Sequence, residues 1–144
     1  MNNLYLIVEA SGTRLAIPAT DVTTVMICGT IVRAPQTPSF VAGLAAMRSD
    51  VITVVDPLAA IQGGPANISE DATLVAVSIE GHFYGLAVDD VIDAIEVEEA
   101  PGRTGVAMAK GWHAVSIGVI DFDGETILVI DTAKLVGSFE PAAA

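Results

Sequence analysis

Hydrophobic residues along this chain fall in short runs rich in Val, Ile and Leu, and pairs of turn residues punctuate them. LYLIVEA, TRLAIPA, DVITVVD, TLVAVSI, HFYGLAV, AVSIGVIDF and TILVID each read as a strand, and SG, RSD, EG and DG as the turns that end them. Helical spacing is confined to four short stretches, Ala19–Met26, Pro57–Ile61, Val88–Ile95 and Thr132–Val136. Thr20 or Asp21 would cap the first of these, and Asp89 the third. Gln62–Ala72 is rich in Gly, Pro and polar residues and reads as a connection that divides the chain almost in half. Glu96–Gly111 has no clean period and reads as a surface loop, and the tail EPAAA as a frayed end.

The two halves resemble each other. GLAAMRSDVITVVD lies without a gap over GVIDFDGETILVID, matching Gly43 with Gly118, Ile52 with Ile127, Val54 with Val129 and Asp56 with Asp131. Upstream, GTRLAIPATDVTTV lies over GHFYGLAVDDVIDA, again without a gap and in the same order. The pattern predicts a duplicated unit of strand, strand, short helix and hairpin. About five short strands per unit suit a small closed barrel that hides its edges. The predicted class is therefore all-β with a few short helices: one domain spanning residues 1–144, with a first lobe over roughly 1–65 and a second over roughly 66–140. Exchange of strands between the lobes stays open. A groove between them is a natural place for a partner.

Charge narrows the partners. The 144-residue chain has a formal net charge of −12. Residues 1–72 hold six acids and three bases (net −3), and residues 73–144 hold twelve and three (net −9). No basic patch exists to displace counterions from phosphates, which excludes nucleic acid as the expected partner. Cys28, the lone cysteine, cannot form an internal disulfide and reads as a buried apolar side chain in a reducing compartment. The apolar run Leu4–Val8 is too short for a signal or membrane segment, so the expectation is a cytoplasmic protein without membrane insertion.

Catalytic chemistry is not visible. His82 lies in a predicted turn and His113 beside Trp112, neither within a motif. Gly63, Gly64 and Pro65 lack the lysine and helix of a phosphate loop. Asp121, Asp123 and Glu125 resemble a scrap of a calcium loop without its twelve-residue ligand pattern, and read as a charged hairpin turn. Asp89, Asp90 and Asp93 are explained as acids at the positive end of the predicted third helix. No enzyme activity, cofactor or metal is expected.

One turn stands out. The first copy of the hairpin has Met47, Arg48, Ser49 and Asp50 where the second has Phe122, Asp123, Gly124 and Glu125. Asp-Gly is a routine hairpin turn, whereas an apolar side chain beside a guanidinium suits a protein interface. The plainer reading is that Arg48 pairs with a nearby acid such as Asp50.

The same residues carry a family likeness. TPSFVAGLAAMRSDVITVVD resembles the T-P-x-F-x-x-G … G-x-x-N-L-R-G-x-x-x-P-V-V-D pattern of the CheW-like domain of bacterial chemotaxis adaptors. The likeness continues through FYGLAVDDVIDAIEV to GVIDFDGETILVIDTAKLV, so it covers nearly the whole chain. It implies two SH3-like five-stranded β-barrel lobes and a non-enzymatic adaptor, recruited to membrane-associated receptor arrays. The implied partners are the regulatory domain of a CheA-type histidine kinase and the cytoplasmic tip of a chemoreceptor, with ring or array assembly as a further possibility. Carried over by motif, the partner-binding residues are Arg48 and Met47, with Val22 and Val25 on the first short helix. Ala46, Ser49 and Pro57 depart from the pattern, standing where Asn, Gly and Leu are usual. The alternative they raise is a divergent stand-alone module that regulates a kinase or other signalling protein without a receptor.

Overall fold

The computed structural model describes residues 3–33, 36–97 and 115–136. Ten strands dominate the described residues: β1 (Asn3–Ala10), β2 (Thr13–Pro18), β3 (Val22–Ile27), β4 (Val41–Met47), β5 (Asp50–Val55), β6 (Thr73–Ile79), β7 (His82–Val88), β8 (Asp90–Val97), β9 (Ser116–Phe122) and β10 (Glu125–Ile130). Among the described residues two short helices, α1 (Pro57–Gln62) and α2 (Thr132–Val136), each follow a hairpin, and a 3₁₀ turn covers Ala19–Asp21. The tail Glu140–Ala144 and residues 98–111 of the expected loop lie outside the described residues.

The strands form two five-stranded sheets, ordered β8-β1-β2-β10-β9 (sheet I) and β3-β6-β7-β5-β4 (sheet II). Each sheet draws strands from both halves of the chain: β1 and β2 sit among the strands of the second half, and β6 and β7 among those of the first. Corresponding strands occupy corresponding places. The parallel pair β5–β7 sets Thr53 opposite Tyr84 and Val54 opposite Gly85. Its counterpart β10–β2 sets Leu128 opposite Leu15 and Val129 opposite Ala16, the same register in the repeat.

Two of the expected helices are strands. Ala19–Met26 is one 3₁₀ turn followed by β3, and Val88–Ile95 lies mostly in β8. Their apolar residues, Ala19, Val22 and Met26 in one and Val88, Val91, Ile92 and Ile95 in the other, recur at helical spacing in an extended chain, and each segment also carries a bulge. Thr23 is skipped between the pairs Val22–Val77 and Thr24–Ala76, and Ile92, its counterpart, between Val91–Val8 and Asp93–Ile7. In β3 the exposed positions nonetheless alternate, at Thr23, Val25 and Ile27. Asp89 accordingly caps no helix. Its carboxylate accepts the Ser11 amide at 2.8 Å and pins the β1–β2 turn. A second matched pair of bulges falls at Ala42 and Ile117.

The expected helices over 57–61 and 132–136 are present. Asp56 caps α1 by accepting the Ala59 amide at 3.2 Å, with Pro57 at the first helical position. Asp131 accepts the Lys134 amide of α2 at 3.1 Å. The matched aspartates of the repeat are thus helix caps.

The apolar side chains form three clusters. Tyr5, Ile7, Ala16, Ile120, Ile127 and Val129 fill the inside of sheet I, joined by Ile92 and Ile95 of one edge and Phe122 of the other. Ala45, Met47, Ile52, Val54, Leu74, Ala76 and Ala87 fill the inside of sheet II, with Met26 from its far edge. The third cluster is the seam between the sheets, where Val8, Leu15, Ile17, Val75, Val77, Tyr84, Leu86 and Ile130 meet Ile61 of α1 and Leu135 of α2. Strands β1, β2, β6 and β7 are therefore buried on both faces, which is why LYLIV and TLVAV read as continuous apolar runs. Each such Ile, Leu or Val contributes about 1.5–3 kcal/mol when fully buried. Across the seam, the Thr132 hydroxyl donates to the Asp21 carboxylate at 3.2 Å.

Candidate functional site

The β4–β5 hairpin separates the two residues that its turn was expected to present together. Met47, opposite Asp50 in the ladder, is only 7% exposed and packs inside sheet II. It is part of the core, not a surface grip: alternation along β4 sends Met47 inward and its neighbour Ala46 outward, opposite Val51. Val51 is 57% exposed and was not foreseen, because its strand reads as uniformly apolar.

Arg48 is exposed, at φ 55. A left-handed conformation costs a bulky L-residue about 1–2 kcal/mol. Its counterpart Asp123 takes nearly the same φ, 52, and is followed by Gly124 at φ 77 as in an Asp-Gly hairpin turn; Glu80 also takes φ 52, so the conformation recurs in the hairpin turns of this fold. Among the described residues Arg48 makes no ion pair or hydrogen bond, and the Asp50 pairing is not formed. Arg14 shows the alternative: it lies 3.9 Å from the Glu9 carboxylate and 3.5 Å from that of Glu125.

Val22 and Val25 lie on a strand, β3, not on a helix. Val22 is half-buried against the seam, Val25 is 44% exposed, and Ile27, missed because the segment was read as helical, is 62% exposed. β3 and β4 are the two outer strands of sheet II, with β6, β7 and β5 between them. Arg48 with Ala46 and Val51 lies at the β4–β5 turn and Val25 with Ile27 on β3, and the chain beyond β3 curls round to bridge β4 through Val32 and Leu44.

The remaining candidate groups have structural explanations. Asp121 accepts the Thr126 hydroxyl at 3.2 Å, and Glu125 meets Arg14. His82 is exposed at the start of β7, opposite Ile79, and His113 lies outside the described residues. No three His, Cys, Asp or Glu side chains gather in a metal-binding arrangement among the described residues. Cys28 is buried, and burial, aided by the nearby negative charge of Glu70, pushes its thiol above the ordinary range. A cleft of about 490 Å³ lined by Ile31, Arg33, Ser39, Ile68 and Glu70 opens near Val41, at the end of β4 remote from Arg48. No helix among the described residues is long and apolar enough to cross a membrane.

Two five-stranded sheets with exchanged strands share an apolar seam, and the described residues expose Arg48 at one turn and Val25 and Ile27 on one outer strand. The CheW-like domain profile matches residues 4–140, and the chain belongs to that family. It is accordingly a non-enzymatic adaptor of chemotaxis-type signalling. Protein FrzA of Myxococcus xanthus is 27% identical over 127 residues, 85% of this chain and 78% of that protein. The crystal structure of the scaffolding protein CheW from Thermoanaerobacter tengcongensis superposes with a TM-score of 0.75 at 25% identity, covering 90% of this chain and 84% of that one.

Proposed function

We propose that this adaptor couples a CheA-type histidine kinase to the cytoplasmic tip of a chemoreceptor and is recruited with them to membrane-associated arrays. The observation that carries the reading is Arg48, an exposed cation without a described partner, held at φ 55 beside exposed Val51 and Ala46 in a chain of net charge −12. Glu80 and Asp123 take the same backbone conformation in their hairpin turns, so what sets Arg48 apart is a positive charge without a described partner in an acidic chain. The receptor contact is assigned to Arg48, with Val22 and Val25 as a separate apolar contact. Met47 supports the turn from behind. Pro57 fits the first position of α1 without disturbing it, and Ala46 substitutes an apolar surface for the amide usual there.

The test is Arg48→Glu, compared with wild type for melting temperature, affinity for the kinase regulatory domain and affinity for a receptor cytoplasmic fragment. Reversing the charge should cost about 2 kcal/mol of receptor binding, roughly 30-fold, with fold and kinase contact intact. Unchanged receptor binding would remove Arg48 from the site. Kinase binding by wild type without any receptor binding would favour the stand-alone module instead.

A further inference from the structure

The two sheets end in edge strands that are counterparts in the repeat, and their chemistry differs. β8 carries Asp90, Asp93 and Glu96, all exposed. β3 reads VTTVMI, with no charge and no proline, and its position Ile27 stands where β8 has Glu96. Charged and proline residues on an edge strand keep a second chain from completing the hydrogen-bond ladder. β3 has neither, exposes Val25 and Ile27, and among the described residues no strand pairs with its side turned away from β6.

We propose that β3 pairs antiparallel with β3 of a second copy of this chain, joining two copies of sheet II into one continuous sheet. The strand is complementary to itself. Centred on Val25 opposite its own copy, the register sets Thr23 opposite Ile27 and Thr24 opposite Met26, so every facing pair is uncharged and rich in β-branched residues, which favour cross-strand contact. Charge selects this edge over the other. A copy approaching along β8 would set acid against acid, whereas β3 is a neutral strip on a chain of net charge −12. The association is opposed by the general repulsion between two such chains, so salt that shortens the screening length strengthens it. A contact made through Arg48 to an acidic partner weakens with salt. The pairing covers Val25, so a dimer withholds that apolar contact from any other partner. The inference does not depend on the coupling role, because it is read from the mass of the protein alone.

Sedimentation velocity of the full chain from about 10 μM to about 1 mM, the range expected for a small interface, tests it. The average mass should climb from 14.8 kDa toward twice that value, and more steeply at high salt. Ile27→Glu, which installs the residue of the acidic counterpart, should stay at the monomer mass throughout, with an unchanged circular dichroism spectrum. Thr23→Lys at a neighbouring exposed position should do the same if Ile27→Glu folds poorly. A wild type that remains monomeric over the whole range, a dimer that salt dissolves, or variants that dimerise as wild type does would each overturn the proposal.

Discussion

The hairpin β4–β5 and its counterpart β9–β10 are built on one plan and finished differently. Both carry a bulge at the same repeat position, Ala42 and Ile117, both run into a short helix capped by an aspartate, and both lie beside a parallel strand in the same register. At the turn they part: the first presents Arg48 without a described partner, while the second uses Asp123-Gly124 and ties Glu125 to Arg14. The edges repeat the contrast, apolar in β3 and acidic in β8. Packing constrains both copies alike, since each lines a core. The surface is under no such constraint, and there one copy has specialised in contact and the other in charge.

If that division holds, the largest effect should come from the turn residue that belongs to the core. Met47→Ala should cost about 3 kcal/mol, because it empties a buried position inside sheet II, while Arg48→Ala beside it should change stability by less than about 0.5 kcal/mol. Equal losses in thermal melts would erase the distinction between core and surface within the hairpin.

Next come the two caps. Asp56 also accepts the Asn67 amide at 3.0 Å, holding the Gln62–Ala72 connection, an added duty for which Asp131 shows no equivalent among the described residues. Asp56→Ala should therefore cost about 2 kcal/mol and Asp131→Ala about 1 kcal/mol in denaturant titrations. The reverse order would show that the connection contributes nothing.

A smaller effect of opposite sign should follow from grafting the second turn onto the first. Arg48→Asp with Ser49→Gly replaces a strained turn by Asp-Gly and should raise stability by about 1 kcal/mol while receptor affinity falls. A graft that destabilises would mean the Arg48 turn is favourable as it stands.

The smallest concerns Cys28, whose counterpart is Val97. With its folded pKa raised, the thiol keeps its proton after the unfolded chain has lost one, so its contribution is whole below the ordinary thiol value, about 8.5, and declines as pH rises past it. Cys28→Val should remove that alkaline decline. Equal pH profiles for variant and wild type would show that burial does not govern the thiol.

Much of the fold was legible because alternation and turn residues survive wherever a strand is regular. Seven strand runs, the helices over 57–61 and 132–136 and the ungapped repeat came from the sequence pattern alone. The two segments misread as helices are those whose apolar residues recur at helical spacing, Ala19, Val22 and Met26 in one and Val88, Val91, Ile92 and Ile95 in the other, and the same misreading hid Ile27. Arg48 was legible as an odd charge in an acidic chain. Met47 was not, since a hydrophobic residue one step from a turn points inward or outward according to a register that local sequence does not carry. The placing of β3 and β4 as the outer strands of one sheet was also invisible, because it depends on pairings with β5, β6 and β7 that local sequence does not carry.

The exchange of strands has a consequence for how the molecule comes into being. Neither sheet can close until both halves of the chain have been synthesised, because β1 and β2 wait for β8, β9 and β10, while β3, β4 and β5 wait for β6 and β7. Such distant pairings place the chain among slow folders, on the scale of milliseconds to seconds, with no independently stable half as a resting point. A cut in the Gln62–Ala72 connection should accordingly leave two pieces that are each unstructured alone and recover the native spectrum only when mixed, as two interlocked parts of one object.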